Sequence, residues 1–155
     1  MYKEVEGDLI ELALSGHFDL IAHQTNCCCT QAAGIAGKFA KQFGTDNPVL
    51  YPYEHNYKNR DINKLGCIQS YSHWVDPGKR HIEVVNCYGQ FDPGKRTDYA
   101  ALVMCFRKLN HIHKGKKIGL PRIGCGIGGG RWDTVKLLIQ EHLKDCDVTV
   151  VNYNK

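Results

Sequence analysis

Short runs of aliphatic and β-branched residues alternate with amphipathic stretches of helical length along this 155-residue chain, and that alternation constrains its fold more than any other feature. The strand-like runs are Tyr2–Glu6, Asp19–Gln24, Gly66–Ser72, His81–Tyr88, Lys117–Pro121 and Asp147–Val151. Between them, Asp8 is a natural N-cap for a short helix over Leu9–Ser15 that Gly16 ends. A second helix is predicted over Ala33–Phe43, where Ile35, Phe39 and Phe43 recur at spacings of four before Gly44. A third spans Asp98–His113 with Leu102, Cys105, Phe106 and Leu109 inward, and a fourth spans Trp132–Leu143. Residues 45–62 read as a short helix plus loop. Strands separated by helices of this length predict a three-layer α/β/α fold around a mixed, largely parallel central sheet covered on both faces.

The length suits one domain over residues 1–155. The net charge of +4 is mild, and its basic residues are scattered, which suits a small anionic ligand better than a nucleic-acid duplex. No apolar stretch approaches the roughly 18 residues that span a bilayer, and Met1–Gly7 is too polar for a signal peptide, so a soluble, cytoplasmic monomer without a membrane partner is expected. Eight cysteines lack scaffold-like spacing, and Cys27, Cys28 and Cys29 are consecutive, so reduced thiols are expected and not a disulfide framework. Adjacent cysteines also point apart on an extended chain, which argues against a zinc site. No metal or cofactor is expected.

Ligands on open α/β sheets bind beyond the carboxyl ends of the strands, and two loops qualify: Gln24–Gly34 and Gly124–Arg131. The second, in LPRIGCGIGGGRW, packs five glycines into the seven positions from Gly124 to Gly130. Such backbone turns successive N–H groups toward one point, and the positive end of the following helix reinforces an anion held there. Its G-x-G-x-x-G match is weak evidence for a dinucleotide fold, because that motif belongs in the first βαβ unit. The first loop complements it: Thr25, Asn26 and Thr30 can hydrogen-bond ribose hydroxyls, and small residues through Ala36 admit a ligand to the backbone. Two amide-rich loops across a cleft suit a molecule with two phosphates in its middle.

The segments VEGDLIELA, IAHQTNCCCTQAAGIAGKF and LPRIGCGIGGGRW, in this order, resemble the macrodomain family of ADP-ribose-binding modules over essentially the whole chain. The branch it looks most like contains ADP-ribose 1''-phosphate phosphatases, their phage and bacterial relatives, and terminal ADP-ribose protein glycohydrolases. The resemblance implies that Asp8, with Leu9 beside it, meets the adenine amine, although Asp8 also serves as a cap. It implies that Asn26 contacts the distal ribose and that residues 32–36, including Ala33, Gly34, Ile35 and Ala36, form the first phosphate loop. It implies further that Gly124, Cys125, Gly126, Ile127, Gly128, Gly129 and Gly130 form the second, and that Tyr153, just after the last strand, packs on adenine.

The chain departs from the glycohydrolase pattern of a lysine nucleophile and an acid in the second loop. Tyr88, Gln90 and Phe91 stand near the lysine position, with Asp92 and Lys95 several residues away, and Gly128 stands at the acid position. Arg131 replaces an acid usual at the helix start, though Asp133 follows, and its fork suits a terminal phosphate. His23, Asn26 and Arg131 are therefore the catalytic candidates, with His23 as a proton acceptor near neutral pH. Tyr71, His73 and Trp74 read as core or sheet edge. The leading expectation is hydrolysis of a distal-ribose substituent, above all of ADP-ribose 1''-phosphate. The alternatives are a non-catalytic ADP-ribose-binding module and an ADP-ribosyl hydrolase acting on modified macromolecules; a Rossmann-type oxidoreductase and an RNA-binding protein rank below them.

Overall fold

The computed structural model describes residues 1–28, 31, 33–46, 62–76, 80–94 and 96–153. Cys29, Thr30, Ala32 and Lys95 lie outside these residues, as does most of the 45–62 segment. The strands are β1 (Tyr2–Gly7), β2 (Leu20–Asn26), β3 (Ile68–Asp76), β4 (Arg80–Gln90), β5 (Lys117–Leu120) and β6 (Asp147–Tyr153). The helices are α1 (Leu9–Leu14), α2 (Gly34–Phe43), α3 (Tyr99–Ile112) and α4 (Trp132–His142), and Ile62–Lys64 adds one 3-10 turn.

The six strands form one sheet in the order β1-β6-β5-β2-β4-β3. All neighbours are parallel except β3, which runs antiparallel to β4 at the edge. This hairpin is where the chain leaves strict strand–helix alternation, and it makes the sheet mixed. Trp74 lies exposed on that edge strand, with its ring against His81.

Pleating sorts the side chains of the buried central strand β2 between the two faces. Leu20 and Ala22 meet the α3/α4 layer at Leu102, Phe106, Leu109 and Ile139. Ile21 points the other way, into the layer that α1 and α2 supply through Leu9, Ala13 and Phe39. Apolar residues on both faces explain why the sheet needs a helical layer on each side.

Five strands run further at their carboxyl ends than periodicity suggests, β1 by one residue to Gly7 and β3 to Asp76 among them. β2 continues through Asn26, β4 through Gln90, and β6 through Tyr153, so Tyr153 ends its strand and does not follow it. Near those ends the β2–β4 register slips: Thr25 pairs with Tyr88, while Asn26 pairs with Gln90. The extra residue is Gly89, where a Cβ would collide with Gln24 Oε1 and with Leu102.

Candidate functional site

A cleft of about 910 Å³ opens at the carboxyl ends of the parallel strands. One wall is Ala33–Ala36 at the start of α2, and the other is the glycine loop between β5 and α4. Gln24, Thr25, Asn26 and Gln90 lie between the walls, while Glu6, Asn152 and Tyr153 also line the cleft.

Helix capping distinguishes the two walls from the rest of the molecule. Asp8 Oδ1 accepts from the N–H groups of Ile10 and Glu11 and caps α1. Asp98 Oδ1 accepts from Ala101 N–H and caps α3. The helices that follow the cleft loops, α2 and α4, begin at Ala33 and Arg131 with no side-chain cap. Their first N–H groups are the ones a helix leaves unmet, and they carry its positive end.

The glycines of the second wall have separate physical reasons. Gly124 and Gly129 adopt φ of 76° and 73°, a left-handed conformation that side chains disfavour. Gly128 and Gly130 are needed for space, since a Cβ on Gly130 would lie 2.6 Å from Gly124 O and one on Gly128 would meet Thr97 Oγ1. The loop closes on itself through Gly130 N–H donating to Gly124 O at 2.7 Å and Gly129 N–H donating to Gly126 O at 3.0 Å. Among the described residues, the N–H groups of Gly126, Ile127 and Gly128 have no acceptor. All three residues line the cleft.

Several site expectations need correction. His23 does not line the cleft. It is fully buried, its ring centroid 4.2 Å from that of Phe39, and its Nε2 lies 2.6 Å from Asn86 Oδ1. Asn86 Nδ2 donates to Thr45 O, so Oδ1 is the acceptor and His23 carries its proton on Nε2. Burial holds the imidazole down to about pKa 4, against which the Asn86 hydrogen bond works only partly. Depth along the strand is the cause: His23 lies packed against Phe39 of α2, whereas Gln24, Thr25 and Asn26, at the carboxyl end of β2, line the cleft.

Arg131 also lies outside the lining, its exposed guanidinium 3.5 Å from Asp133. Gly129 supports the loop from behind, and Leu9 is buried in the core. Asp8 caps α1 beside the lining and not within it. Asn26 is in the cleft; its Oδ1 accepts from Cys28 N–H and turns the chain out of β2. Tyr153 is in the cleft as well, with Lys38 Nζ 4.2 Å from its ring centroid.

Gln90 occupies the neighbourhood expected for a lysine nucleophile, and its amide is already engaged. Nε2 donates to Asp92 O and Gly94 O, and Oε1 accepts from Gln24 Nε2 at 2.7 Å. Cys125 lines the glycine wall, but burial pushes its thiol up to about 11, so it is protonated at neutral pH and not a ready nucleophile. Peptide-resolved iodoacetamide labelling at pH 8 should proceed about a hundredfold more slowly at Cys125 than at an unshifted thiol. Equal rates would contradict this.

Gln24, Glu6, Arg122 and Asn152 are lining residues that motif reading does not single out, and it reaches Gln90 only as a residue near the lysine position. The strand-end rule was the available signal for Gln24, Gln90 and Asn152, which stand at the ends of β2, β4 and β6. Arg122 donates from Nε to Asn152 Oδ1 at 2.8 Å and lies 5.2 Å over the Trp132 ring, clasping the two ends of the glycine loop together.

No family model matches the chain. An uncharacterised 17.5 kDa protein from the tk–vs intergenic region of Enterobacteria phage T4 is 31% identical, over 97% of this chain and 96% of its own length. The human ADP-ribose glycohydrolase OARD1 is 25% identical, over 96% of this chain and 88% of the enzyme. Among solved structures, the macrodomain of Thermus aquaticus DarG superposes with a TM-score of 0.67 at 19% identity, over 100% of this chain and 99% of that one. Thermosipho africanus DarTG, solved in complex with ADP-ribose, has a TM-score of 0.71 at 17% identity, over 97% of this chain and 40% of that one.

Proposed function

Because the chain shares the macrodomain fold and has the phage T4 protein as a full-length relative, we propose that it binds ADP-ribose and its distal-ribose derivatives in this cleft. The observation that carries the reading is the pair of facing amide walls: an uncapped α2 on one side, and the unmet N–H groups of Gly126, Ile127 and Gly128 on the other. A diphosphate between them receives donors from both sides, reinforced by helix N-termini. Adenosine then lies toward Tyr153, Asn152 and Glu6, and the distal ribose toward Thr25 and Asn26. Asp8 uses Oδ1 for capping, which leaves Oδ2 for an exocyclic amine.

The reaction we propose is hydrolysis of ADP-ribose 1''-phosphate. Cleaving a glycosidic bond by the covalent or two-carboxylate route requires an activated nucleophile or a carboxylate pair; Gln24, Thr25, Asn26 and Gln90 offer no carboxylate, and no base meets the Thr25 hydroxyl among the described residues. Phosphoryl transfer to water asks mainly for positioning and charge stabilisation, which an amide-lined wall can supply. Water attacks phosphorus and the bond from phosphorus to the ribose oxygen breaks; one proton of the water passes by way of a phosphate oxygen of the substrate to the departing ribose oxygen, and the other stays on the inorganic phosphate. With His23 buried, the substrate phosphate is the acceptor this mechanism needs. Purified protein should release inorganic phosphate and ADP-ribose in equal amounts.

A second reading, a module that binds ADP-ribose without turnover, is favoured by the neutral residues between the walls. Calorimetric binding of ADP-ribose, with phosphate release no faster than in a boiled control, would decide for it. Absence of binding would sink both.

A further inference from the structure

We propose that Thr97, which lies outside the cleft lining, is the positioning residue for the glycine wall: its hydroxyl aims the Gly124 carbonyl and so holds the unmet N–H groups of Gly126–Gly128 toward the cleft. Thr97 Oγ1 lies 2.8 Å from Gly124 O, and a carbonyl can only accept, so the hydroxyl donates there. The hydroxyl's own acceptor site takes Gln24 Nε2 at 2.8 Å. Thr97 N–H donates to Gly128 O at 3.2 Å, so one residue ties down both ends of the segment that carries the free donors. Gly124 O also accepts from Gly130 N–H at 2.7 Å, which makes this carbonyl the point where the loop closes. The absence of Cβ atoms fits the same contact: one on Gly128 would occupy the place of Thr97 Oγ1, and one on Gly130 would crowd Thr97 Cγ2 at 3.3 Å.

A second observation shows that this arrangement is held against a cost. With Nε2 directed to both Thr97 and Gln90, Gln24 is left with Oε1 buried and unpartnered among the described residues. Flipping the amide would set its oxygen against Gln90 Oε1 and take away the donor that Thr97 receives. The native arrangement accepts one unmet buried acceptor in exchange for a defined hydroxyl direction. Thr97 itself is anchored from behind, since its neighbour Asp98 caps α3 and donates its N–H to Gly89 O at 2.7 Å. The glycine wall is thereby referenced to α3 and the end of β4, and not only to the two elements it connects.

The proposal deepens the ADP-ribose reading and rests on it for its binding consequence. Thr97→Val keeps the shape and removes the hydroxyl. In ligand-free protein, hydrogen exchange of the Gly130 amide should accelerate by roughly tenfold or more, while amides of β2, β5 and the α4 interior keep their protection. The dissociation constant for ADP-ribose should rise by about tenfold or more, and Thr97→Ser should restore both quantities to within about threefold of wild type. Thr97→Ala serves the same comparison should the valine variant unfold. Unchanged Gly130 exchange, uniform loss of protection across the sheet, or a serine variant as impaired as valine would each overturn the proposal. If the wild-type protein does not bind ADP-ribose, the exchange measurement alone decides, so failure of the functional reading is distinguishable from failure of this one.

Discussion

Replacing Gly128 by alanine should weaken ADP-ribose binding by about a hundredfold, roughly 3 kcal/mol, with little change in the sheet. The added Cβ would clash with Thr97 Oγ1, approach Gln24 Nε2 to 2.9 Å and Gly124 O to 3.0 Å, and the two side-chain atoms are held by hydrogen bonds of their own. The loop must move, and its movement displaces three consecutive N–H groups that have no acceptor among the described residues. Gly126→Ala is the informative partner, because nothing lies within 4 Å of a Cβ built there. Its ligand-free amide spectrum should match that of wild type, so any affinity it loses reports direct crowding of the ligand. Calorimetric titration of the two variants checks the expectation. Gly128→Ala binding within about threefold of wild type would show that the wall tolerates the displacement.

Acid should destabilise the protein through His23 specifically. The imidazole is held neutral in the native state, with its pKa pushed down to about 4 from 6.5 by burial. The unfolded chain therefore binds a proton that the native protein does not between those values, and stability falls as pH drops. The contribution is fully present above pH 6.5, is lost progressively toward pH 4, and amounts to about 3 kcal/mol at its largest. Urea unfolding at pH 7 and pH 4.5 should show wild type losing more stability than His23→Gln, whose amide does not titrate. Equal losses in the two proteins would place the acid sensitivity elsewhere, for instance at Glu4, whose carboxyl the Lys136 hydrogen bond holds below its ordinary range. The same variant bears on mechanism, because phosphate release should keep its pH profile without this imidazole.

Periodicity carried the layers of the fold because burial repeats locally. The spacing of Ile35, Phe39 and Phe43 points one helical face inward, and the structure packs that face on the α1/α2 side of the sheet. Leu102, Cys105, Phe106 and Leu109 do the same for α3 on the opposite side. The glycine wall was legible for a related reason: five glycines between a strand and a helix allow little except a backbone cradle. His23 falls short of the cleft because it is covered by Phe39 of α2, and the strand opens into the site only from the next residue onward. One position along β2, Gln24 was the residue to weigh.

What the sequence determined by itself is the alternating three-layer architecture, the cap of α1, and a wall of bare amides after β5; each depends on residues within a few positions of one another. The tertiary structure decided which donors stay unmet and what holds them there. Gln24, Gln90, Thr97 and Gly124 come together from β2, the end of β4, the turn before α3 and the loop after β5. No local pattern encodes that meeting, because hydrogen bonds among distant residues follow from strand order, from the bulge at Gly89 and from the sheet that brings those strand ends to one edge.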